Sequence, residues 1–500
     1  MPAHRNRAKP AVCLPAVLAI GFSGHRHLEN EARCLDAVRA FLRSKKDAHQ
    51  GIVYGISSAA SGGDQIFAEA CLELGIPLRI LLPRPAEQFR SDFDAAGWER
   101  SQAILQKAIS LEVTTGSQDR NEQYYDCGIQ TVMESQLLLA LWDGEPSRGL
   151  GGTQEIVSFA EKTGHPVAWI HSRTCELKLI NSHASAQMES RQELDFLNAL
   201  PDRGLRQPEK SPQALAAAWL RKMDENANHF APQARRLGSI PVVYTAAAAV
   251  LSGVAPEIPA AAPWLAVSAA LGIVAMALPA ALRLHSRQML WGRTRTAAEI
   301  ARAVQVLWNT PAPVTMLGPE VIPELAGMLR SLNFLKMQSG RGPGPSLQQF
   351  KREYRRDRVA HQAAYFSSQA ERAERTARRY GAVSWICGIL ATLVAAAFLA
   401  GELHGIGARY FPARQWIALT MSGLFEIATM AGAFIAMKDS ARRRRRYREL
   451  SRALARWDAE LEALQTWGSV LQVAERVERA LLAELLEWRS QLQSAAHHGK

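Results

Sequence analysis

Four stretches of the sequence combine glycine with hydroxyl, carboxylate or guanidinium groups at spacings that suit phosphate binding. They are GFSGHR at 21–26, SSAASGGD at 57–64, WDG at 142–144 and RGLGGTQE at 148–155. Glycine lets the backbone come close to a phosphate, and unpaired N–H groups at a helix start attract the anion. An arginine such as Arg26 can bind it through two hydrogen bonds. Because glycine and serine are also ordinary turn residues, the prediction depends on the recurrence of the pattern.

These stretches supply the predicted ligand-binding residues, and the expected ligand is a nucleotide or a nucleotide-derived signal. The set comprises Gly21, Ser23, Gly24, His25, Arg26, Ser58, Gly62, Gly63, Asp64, Asp143, Gly151, Gly152, Thr153 and Glu155. No P-loop, HExxH or GxSxG motif is present, and the six cysteines show no metal-binding spacing. No cofactor and no metal ion are therefore expected.

Short apolar segments alternate with helical patterns up to residue 171, which predicts a parallel β-sheet covered by helices on both faces. The predicted strands are 16–22, 52–57, 78–82, 110–114, 137–142 and 167–171. The predicted helices are 28–45, 63–74, 99–108, 122–135 and 153–163. The basic N-terminus before the first segment resembles a signal peptide, but that segment continues directly into a glycine loop and is interpreted as a strand. Ligands of such sheets bind at the carboxyl ends of the strands, where the four stretches are predicted to lie.

The same part of the chain contains four longer motifs: GFSGHRHL, SSAASGGDQIFAEACLELGIPLRILLP, ALWDG and GGTQEIVSFA. Together they resemble the SLOG superfamily over about residues 16–171, in particular its bacterial membrane-tethered branch. The resemblance implies the Rossmann-like fold that DprA proteins and LOG phosphoribohydrolases share, and the binding of nucleotides or nucleotide-derived signals. The part beyond residue 235 resembles the SLOG-associated transmembrane effector modules of bacterial conflict systems, which implies an action on the membrane.

The resemblance leaves the question of catalysis open. Enzymatic LOG proteins contain PGGxGTxxE, whose glutamate supports cleavage of an N-glycosidic bond. The corresponding LGGTQE at 150–155 lacks the proline, the third glycine and the full spacing. We therefore expect a sensor rather than an enzyme. Glu155 is the candidate catalytic residue if the domain is a hydrolase, and a ribose contact otherwise.

Four apolar runs further along the chain have the length and composition of membrane-spanning helices. They are 240–256 and 260–282, separated by a tight turn, and 381–401 and 416–437, separated by a polar loop. Because flanks rich in Lys and Arg stay in the cytoplasm, the sequence predicts a multi-pass protein of a bacterial inner membrane with both termini cytoplasmic. The alternative is that the runs are buried core helices of a soluble protein.

The net charge of the chain indicates which kinds of partner it binds. The chain has 59 Lys and Arg against 47 Asp and Glu, a net charge of +12, and much of this excess flanks the apolar runs. It is interpreted as positive-inside topology and contact with anionic lipid, not as nucleic-acid binding. Leucines and a tryptophan at alternating spacings of four and three over 450–464 predict a helical seam, either intramolecular or between copies in a homo-oligomer.

Glu426 is the only charged residue inside the fourth apolar run. A carboxylate at membrane depth is costly, so Glu426 is expected to face the bundle interior or a water-filled path. The alternative is a neutral carboxyl that hydrogen-bonds a neighbouring hydroxyl, with Thr429 and Thr392 as candidates.

The predicted organisation is an α/β Rossmann-like parallel sheet followed by an all-α membrane domain of four transmembrane helices with a cytosolic helical stalk. The predicted domains are 10–172 (nucleotide sensing), 173–234 (linker and amphipathic helix), 235–295 (first hairpin), 296–377 (cytosolic helices), 378–440 (second hairpin) and 441–500 (C-terminal helices). The expected function is a sensor-effector that binds a nucleotide signal and permeabilises the membrane in antiphage defence. The alternative is a membrane-tethered nucleotide hydrolase.

Overall fold

The computed structural model describes the residues 12–114, 119–146, 149–181, 185–203, 211–254, 261–281, 284–311, 314, 323–340, 344–403, 411–437 and 440–497. The chain forms two compact units. The sheet unit comprises Met1–Met223 and Ile300–Gly344, and the helical unit comprises Asp224–Glu299 and Pro345–Lys500.

The centre of the sheet unit is a seven-stranded sheet. Its strands are β1 Val17–Gly24, β2 Ile52–Ser57, β3 Leu78–Leu82, β4 Ser110–Val113, β5 Leu137–Trp142, β6 Val167–His171 and β7 Leu177–Ile180. Their spatial order is β4-β3-β2-β1-β5-β6-β7, and all neighbours are parallel except β6 and β7. The strand order reverses between β1 and β5, and ligands of open α/β sheets bind in the crevice at such a point. The six predicted strands are confirmed to within two residues.

Helices of the sheet unit cover both faces of the sheet. They are α1 Glu31–Ala48, α2 Gly63–Glu73, α3 Ala86–Phe89, α4 Ala95–Lys107, α5 Arg120–Glu134, α6 Thr153–Lys162, α7 Ser185–Asn198 and, later in the chain, α11 Ala326–Gln338. Side-chain caps define several starts: the Asn30 side chain accepts a hydrogen bond from the Arg33 N–H, and the Asp119 carboxylate accepts from two N–H groups of α5. The five predicted helices are confirmed, with starts displaced by up to four residues.

The sheet unit extends well beyond the predicted 10–172 domain. The prediction missed β7 and α7, which lie in the segment expected to be a linker, because β7 is a short edge strand whose Leu177 and Leu179 are about half exposed (51% and 53%). The predicted amphipathic helix is the start of α8 Pro212–Val254. There Trp219 is fully buried, and the Lys222 ammonium donates to the Val12 and Asn198 carbonyls, 2.8 Å each.

The helical unit contains the apolar runs as antiparallel helix pairs. Its helices include the end of α8, α9 Ala261–Ala281, the first part of α10 Leu284–Val306, α12 Leu347–Tyr354, α13 His361–Leu403, α14 Phe411–Met437, α15 Ser440–Ala463 and α16 Trp467–His497. A single π-helical segment, Arg355–Ala360, joins α12 to α13. The rings of Tyr380 and Phe434 stack at 5.5 Å, and the Ser384 hydroxyl donates to the Ala428 carbonyl. In the first pair, the hydroxyls of Ser252 and Ser268 lie 2.5 Å apart. The turns predicted between the paired helices lie outside the described residues.

One helix among the described residues is long and apolar enough to span a membrane, where four were predicted. It covers Leu347–Gly401, and only 6% of its most apolar window is buried. A core helix would bury most of that window, so the low burial argues against the core-helix alternative. The apolar helices Ala262–Ala277 and Thr420–Ile435 are shorter than a full span.

Helices of the helical unit outside the apolar runs pack around a buried ion cluster. The Arg358 guanidinium on the π-helical segment donates to Glu478 at 2.5 Å and to Glu299 at 2.7 Å. Leu454 and Leu461 of the predicted seam are fully buried within the chain, as are Val473 and Val477 of α16. These seam positions therefore pack intramolecularly, and the homo-oligomer stays a prediction.

Candidate ligand-binding site

The candidate site lies at the carboxyl edge of the sheet, beside the point where the strand order reverses. Three loops meet there: the loop after β1, the β2–α2 loop, and the segment from the end of β5 to the start of α6. The His25 N–H donates to the Leu141 carbonyl at 3.1 Å, which ties the first loop to β5. The topology thus brings most of the predicted residues to one edge.

Gly62 and Gly63 allow the first two loops to touch. Gly62 has φ +82°, and a Cβ there would lie 2.2 Å from the Arg26 carbonyl oxygen. The Gly63 N–H donates to the His25 carbonyl at 2.8 Å, and the Gly62 N–H donates to the Gln65 side chain at 3.3 Å. Both N–H groups are therefore used within the protein. These glycines were predicted to let the backbone approach a phosphate, but in the structure they let two backbone segments approach each other.

Asp64 holds the β2–α2 loop together from inside. Its Oδ1 accepts hydrogen bonds from the Ser57 hydroxyl at 3.0 Å and from the hydroxyl and N–H of Ser58 at 2.9 and 3.2 Å. Asp64 is 7% exposed. Burial raises the pKa of this carboxyl to about 6, although the serine hydrogen bonds and the charge of Arg26 favour the ionised form. Asp64 and Ser58 are thus mainly structural groups of the loop.

Arg26 lies exposed over an aromatic ring that the sequence analysis missed. Its guanidinium carbon is 4.6 Å from the centre of the Tyr124 ring on α5. Within the described residues, the guanidinium makes no hydrogen bond and no ion pair. A stacked guanidinium is preorganised and keeps its N–H edges for an anion.

Tyr124 is itself held by a buried carboxylate. Its hydroxyl donates to Asp92 at 2.6 Å, and Asp92 also pairs with Arg84 and, at 2.6 Å, with Arg120. Burial opposes ionisation of Asp92, but the bonds from Tyr124 and Arg84 and the arginine charges leave its pKa below the usual range. Arg84 and Asp92 come after the end of β3, just as the predicted residues come after the ends of their strands. Their position after a predicted strand is therefore the signal in the sequence that would have located this cluster.

His25 and Asp143 form the wall between β1 and β5. The His25 Nε2 lies 2.8 Å from Asp143 Oδ1, which also accepts the Glu145 N–H at 3.1 Å. Burial disfavours the charged carboxylate, but these hydrogen bonds and the charges of His25 and Arg173 lower the pKa of Asp143. The two predicted residues are therefore brought together as a pair.

The start of α6 lies against the same tyrosine. Gly151 has φ +87°, and a Cβ there would be 3.0 Å from the Tyr124 Cβ and 2.9 Å from the Asn121 carbonyl oxygen. The Glu155 carboxylate accepts the Gly151 N–H at 2.6 Å, which closes the loop onto the helix. The N–H groups of Gly152 and Thr153 have no partner among the described residues. Tyr124 therefore links the Arg26 guanidinium to a helix start with unpaired donors.

Two predicted residues have a different environment from the others. Gly21 lies inside β1, paired with Ile56 and Leu138, and a Cβ there would be 2.8 Å from the Ser135 hydroxyl. It is a packing glycine under α5 and not a loop residue. Ser23 is half-buried near the end of β1.

Glu426 on α14 is half-buried and makes no hydrogen bond among the described residues. The hydroxyls of Thr429 and Thr392, predicted as its partners, each donate to a carbonyl of their own helix. The structure therefore does not contain the hydrogen bond between Glu426 and either hydroxyl that the alternative predicted.

No protein-family model matches the chain, and a search of curated proteins found no significant match.

Proposed function

We propose that the sheet unit binds a phosphate-bearing nucleotide or nucleotide-derived signal at the carboxyl edge of the sheet. The observation that supports this most directly is the Arg26 guanidinium, which stacks on Tyr124 without any carboxylate partner among the described residues. Other arginines at this edge, such as Arg84 and Arg120, pair with Asp92. An exposed cation that the protein positions but does not neutralise suits an incoming phosphate.

The start of α6 supports the same assignment. Its unpaired N–H groups and the positive end of the helix dipole attract an anion, and Gly151 places them against Tyr124. The Glu155 carboxylate repels an anion close to Gly151, so the phosphate is expected on the Arg26 side of the tyrosine. The SLOG resemblance of residues 16–171 agrees with such a ligand.

Glu155 favours a sensor over a hydrolase. Catalysis of N-glycosidic cleavage requires a carboxylate directed at the sugar, whereas one oxygen of Glu155 accepts the Gly151 N–H at 2.6 Å. The contact resembles a capping interaction of the helix start. The proposal is therefore ligand binding without turnover.

The second part of the proposal is an action on a membrane. The exposed apolar surface of α13, the apolar helices α9 and α14 and the apolar end of α8 are the basis for proposing four spans in a bacterial inner membrane, with both termini cytoplasmic. Ligand binding to the sheet unit would then alter the packing of these helices and permeabilise the membrane, in antiphage defence. A homo-oligomer is part of this proposal, since a pore needs several copies of such hairpins.

The ligand proposal is tested by calorimetry on the full-length protein in detergent, against a panel of nucleotides. Loss of one charge-assisted interaction costs about 1.5–3 kcal/mol, so Arg26→Ala should weaken binding roughly tenfold or more. Arg39→Ala is the matched control, because Arg39 is an arginine of the same unit that already pairs with Asp36 and Glu73. Equal affinities of wild type and Arg26→Ala, or no binding of any nucleotide to wild type, would contradict the proposal.

A further inference from the structure

A cavity of about 370 Å³ lies at the amino end of β1, away from the carboxyl edge of the sheet. Its walls come from the start of β1, from α7 and from α11, all within the sheet unit. The polar side chains in its lining are His49, Gln136, Ser190, Arg191, Gln192 and Arg330. The volume is at the lower end of the range for small-molecule sites, which suits a small ligand.

Arg330 on α11 lines this cavity, and its positive charge has no carboxylate partner among the described residues. Its Nη2 donates to the Ser190 hydroxyl at 3.2 Å, and its Nε is buried with no hydrogen-bond partner. Arg330 forms no ion pair with a carboxylate of the described residues. Burial lowers the pKa of Arg330 to about 10, offset only slightly by Tyr54. The Arg330 side chain as a whole is half-buried. A partly desolvated charge without a carboxylate partner lowers the stability of the fold unless a group from outside compensates it.

Other groups of the wall do not compensate this charge. Arg191 pairs with Asp195 at 3.0 Å and donates to the Gln50 carbonyl at 3.1 Å, so that acid is already neutralised. His49 lies 3.4 Å from the Ala16 carbonyl, and burial, together with the charge of Arg191, lowers its pKa. Among the described residues that line the cavity there are therefore donors and positive charge but no carboxylate.

Another cation on the same helix, the buried Lys336, shows the opposite arrangement. The Lys336 ammonium donates to the carbonyl and to the hydroxyl of Thr310, 3.0 Å each. Lys336 is thus provided with acceptors by the protein itself. Arg330 differs in facing a cavity large enough for an acceptor from outside.

We propose that this cavity is a second ligand site, which binds a small oxyanion, the phosphate or carboxylate group of a metabolite, through Arg330. The planar guanidinium can donate two parallel hydrogen bonds to either group, and its unpaired Nε–H is one of the two donors. Ser190 and Gln136 line the same cavity and are further polar contacts. The site is independent of the nucleotide site, since it lies at the other end of the strands.

The test uses full-length protein in detergent, with inorganic phosphate and succinate as the two probes. We expect at least one probe to bind wild type saturably in calorimetry and to raise its unfolding midpoint. Arg330→Met and Arg330→Gln should each weaken that binding tenfold or more, whereas Arg26→Ala should bind the probe as wild type does. If phosphate binds and succinate does not, the ligand is a phosphate compound, and the reverse result indicates a carboxylate.

A stability measurement without ligand separates this role from a structural one. Arg330→Met should raise the unfolding midpoint, because it removes a half-buried charge that no carboxylate compensates, while Lys336→Met should lower it, because it removes a buried charge that is hydrogen-bonded. The proposal is overturned if neither probe binds wild type, if binding survives both Arg330 variants, or if Arg26→Ala abolishes it. A lower midpoint for Arg330→Met, with probe binding unchanged, would likewise assign Arg330 a structural role.

Discussion

At the scale of single residues, two carboxylates at the carboxyl edge of the sheet have opposite electrostatics. Asp64 is buried in the β2–α2 loop, and burial raises its pKa to about 6. Asp143 is also partly buried, but the bond from His25 and the nearby positive charges lower its pKa. The difference follows from burial and charge: Asp64 is 7% exposed, and burial outweighs its hydrogen bonds from Ser57 and Ser58, whereas the Asp143 side chain is 19% exposed and lies beside His25.

This contrast predicts a pH dependence for Asp64→Asn. A carboxyl with a raised pKa contributes stability that is fully present below its unfolded pKa of 3.8 and is lost as the pH rises through about 6. Asparagine keeps an oxygen for the three hydrogen bonds of Ser57 and Ser58 and has no charge to bury. Asp64→Asn should therefore match wild type near pH 4 and exceed its stability by on the order of 3 kcal/mol above pH 7. Thermal unfolding midpoints of the full-length variants from pH 4 to 8 measure this.

Asp143→Asn is the control, because its expected effect on stability at neutral pH has the opposite sign. A lowered pKa contributes stability that is present above the unfolded pKa and disappears as the pH falls through the folded value. The Asp143 variant should therefore be less stable than wild type at pH 7, with the difference shrinking toward pH 4. A pH-independent difference between Asp64→Asn and wild type would show that Asp64 is not the buried titrating group described above.

At the scale of elements, α11 completes the hydrophobic core of the sheet unit although it is distant in sequence. Phe334 is fully buried, and its ring centre lies 5.5 Å from that of Tyr54 on β2. It packs in one cluster with residues of β1, β2 and β3. The Ser331 hydroxyl also donates to the Pro15 carbonyl, just before β1. A fragment that ends at residue 172 would expose this face of the sheet.

We predict that Phe334→Ala destabilises the sheet itself. Removing a buried phenylalanine costs about 3–5 kcal/mol, which corresponds to a decrease of roughly two to four powers of ten in the protection of β1 and β2 amides from hydrogen exchange. Leu179→Ala is the control, because Leu179 on β7 is 53% exposed and its loss should change little. Unchanged protection in Phe334→Ala, or a stably folded 10–172 fragment, would show that α11 is dispensable.

At the scale of the whole molecule, the helical unit has a large exposed apolar surface. On α13, Trp385 is 74% exposed, and Ile386 and Leu393 are 58% and 60% exposed. A contiguous apolar surface of this kind marks contact with lipid or with another protein. In the proposed topology, the basic residues around the apolar helices, including the five consecutive arginines at 442–446, lie on the cytoplasmic side.

The proposed topology predicts the labelling of single cysteines in bacterial cells. After replacement of the native cysteines, a cysteine in the 404–410 loop should react with a membrane-impermeant maleimide from the periplasmic side, whereas one at residue 341 should react only after permeabilisation. The 341 position is the control for leaky cells. Protection of both positions in intact cells, combined with extraction of the chain by carbonate, would indicate a soluble or peripheral protein and would contradict the multi-pass proposal.

The sequence by itself determined six of the seven strands and all five predicted helices of the first 171 residues. Apolar runs, glycine breaks and capping residues act locally, so neighbouring residues contain the information. The same holds for the helical runs after residue 240, although among the described residues only Leu347–Gly401 is both long and apolar enough for a span. For the candidate site, local patterns placed Arg26, His25, Asp143 and the start of α6 at one edge, but they did not indicate what each side chain contacts.

Only the tertiary structure decided those contacts, because they join residues that are distant in the chain. Gly62 is required by the carbonyl of Arg26, 36 positions earlier, and Tyr124 becomes a platform through Asp92 and Gly151. Likewise, α11 joins the sheet from about 300 positions beyond β1. A pattern along the sequence gives the period and the ends of an element, whereas the partner of a buried face or of a charge depends on which surfaces the folded chain brings together.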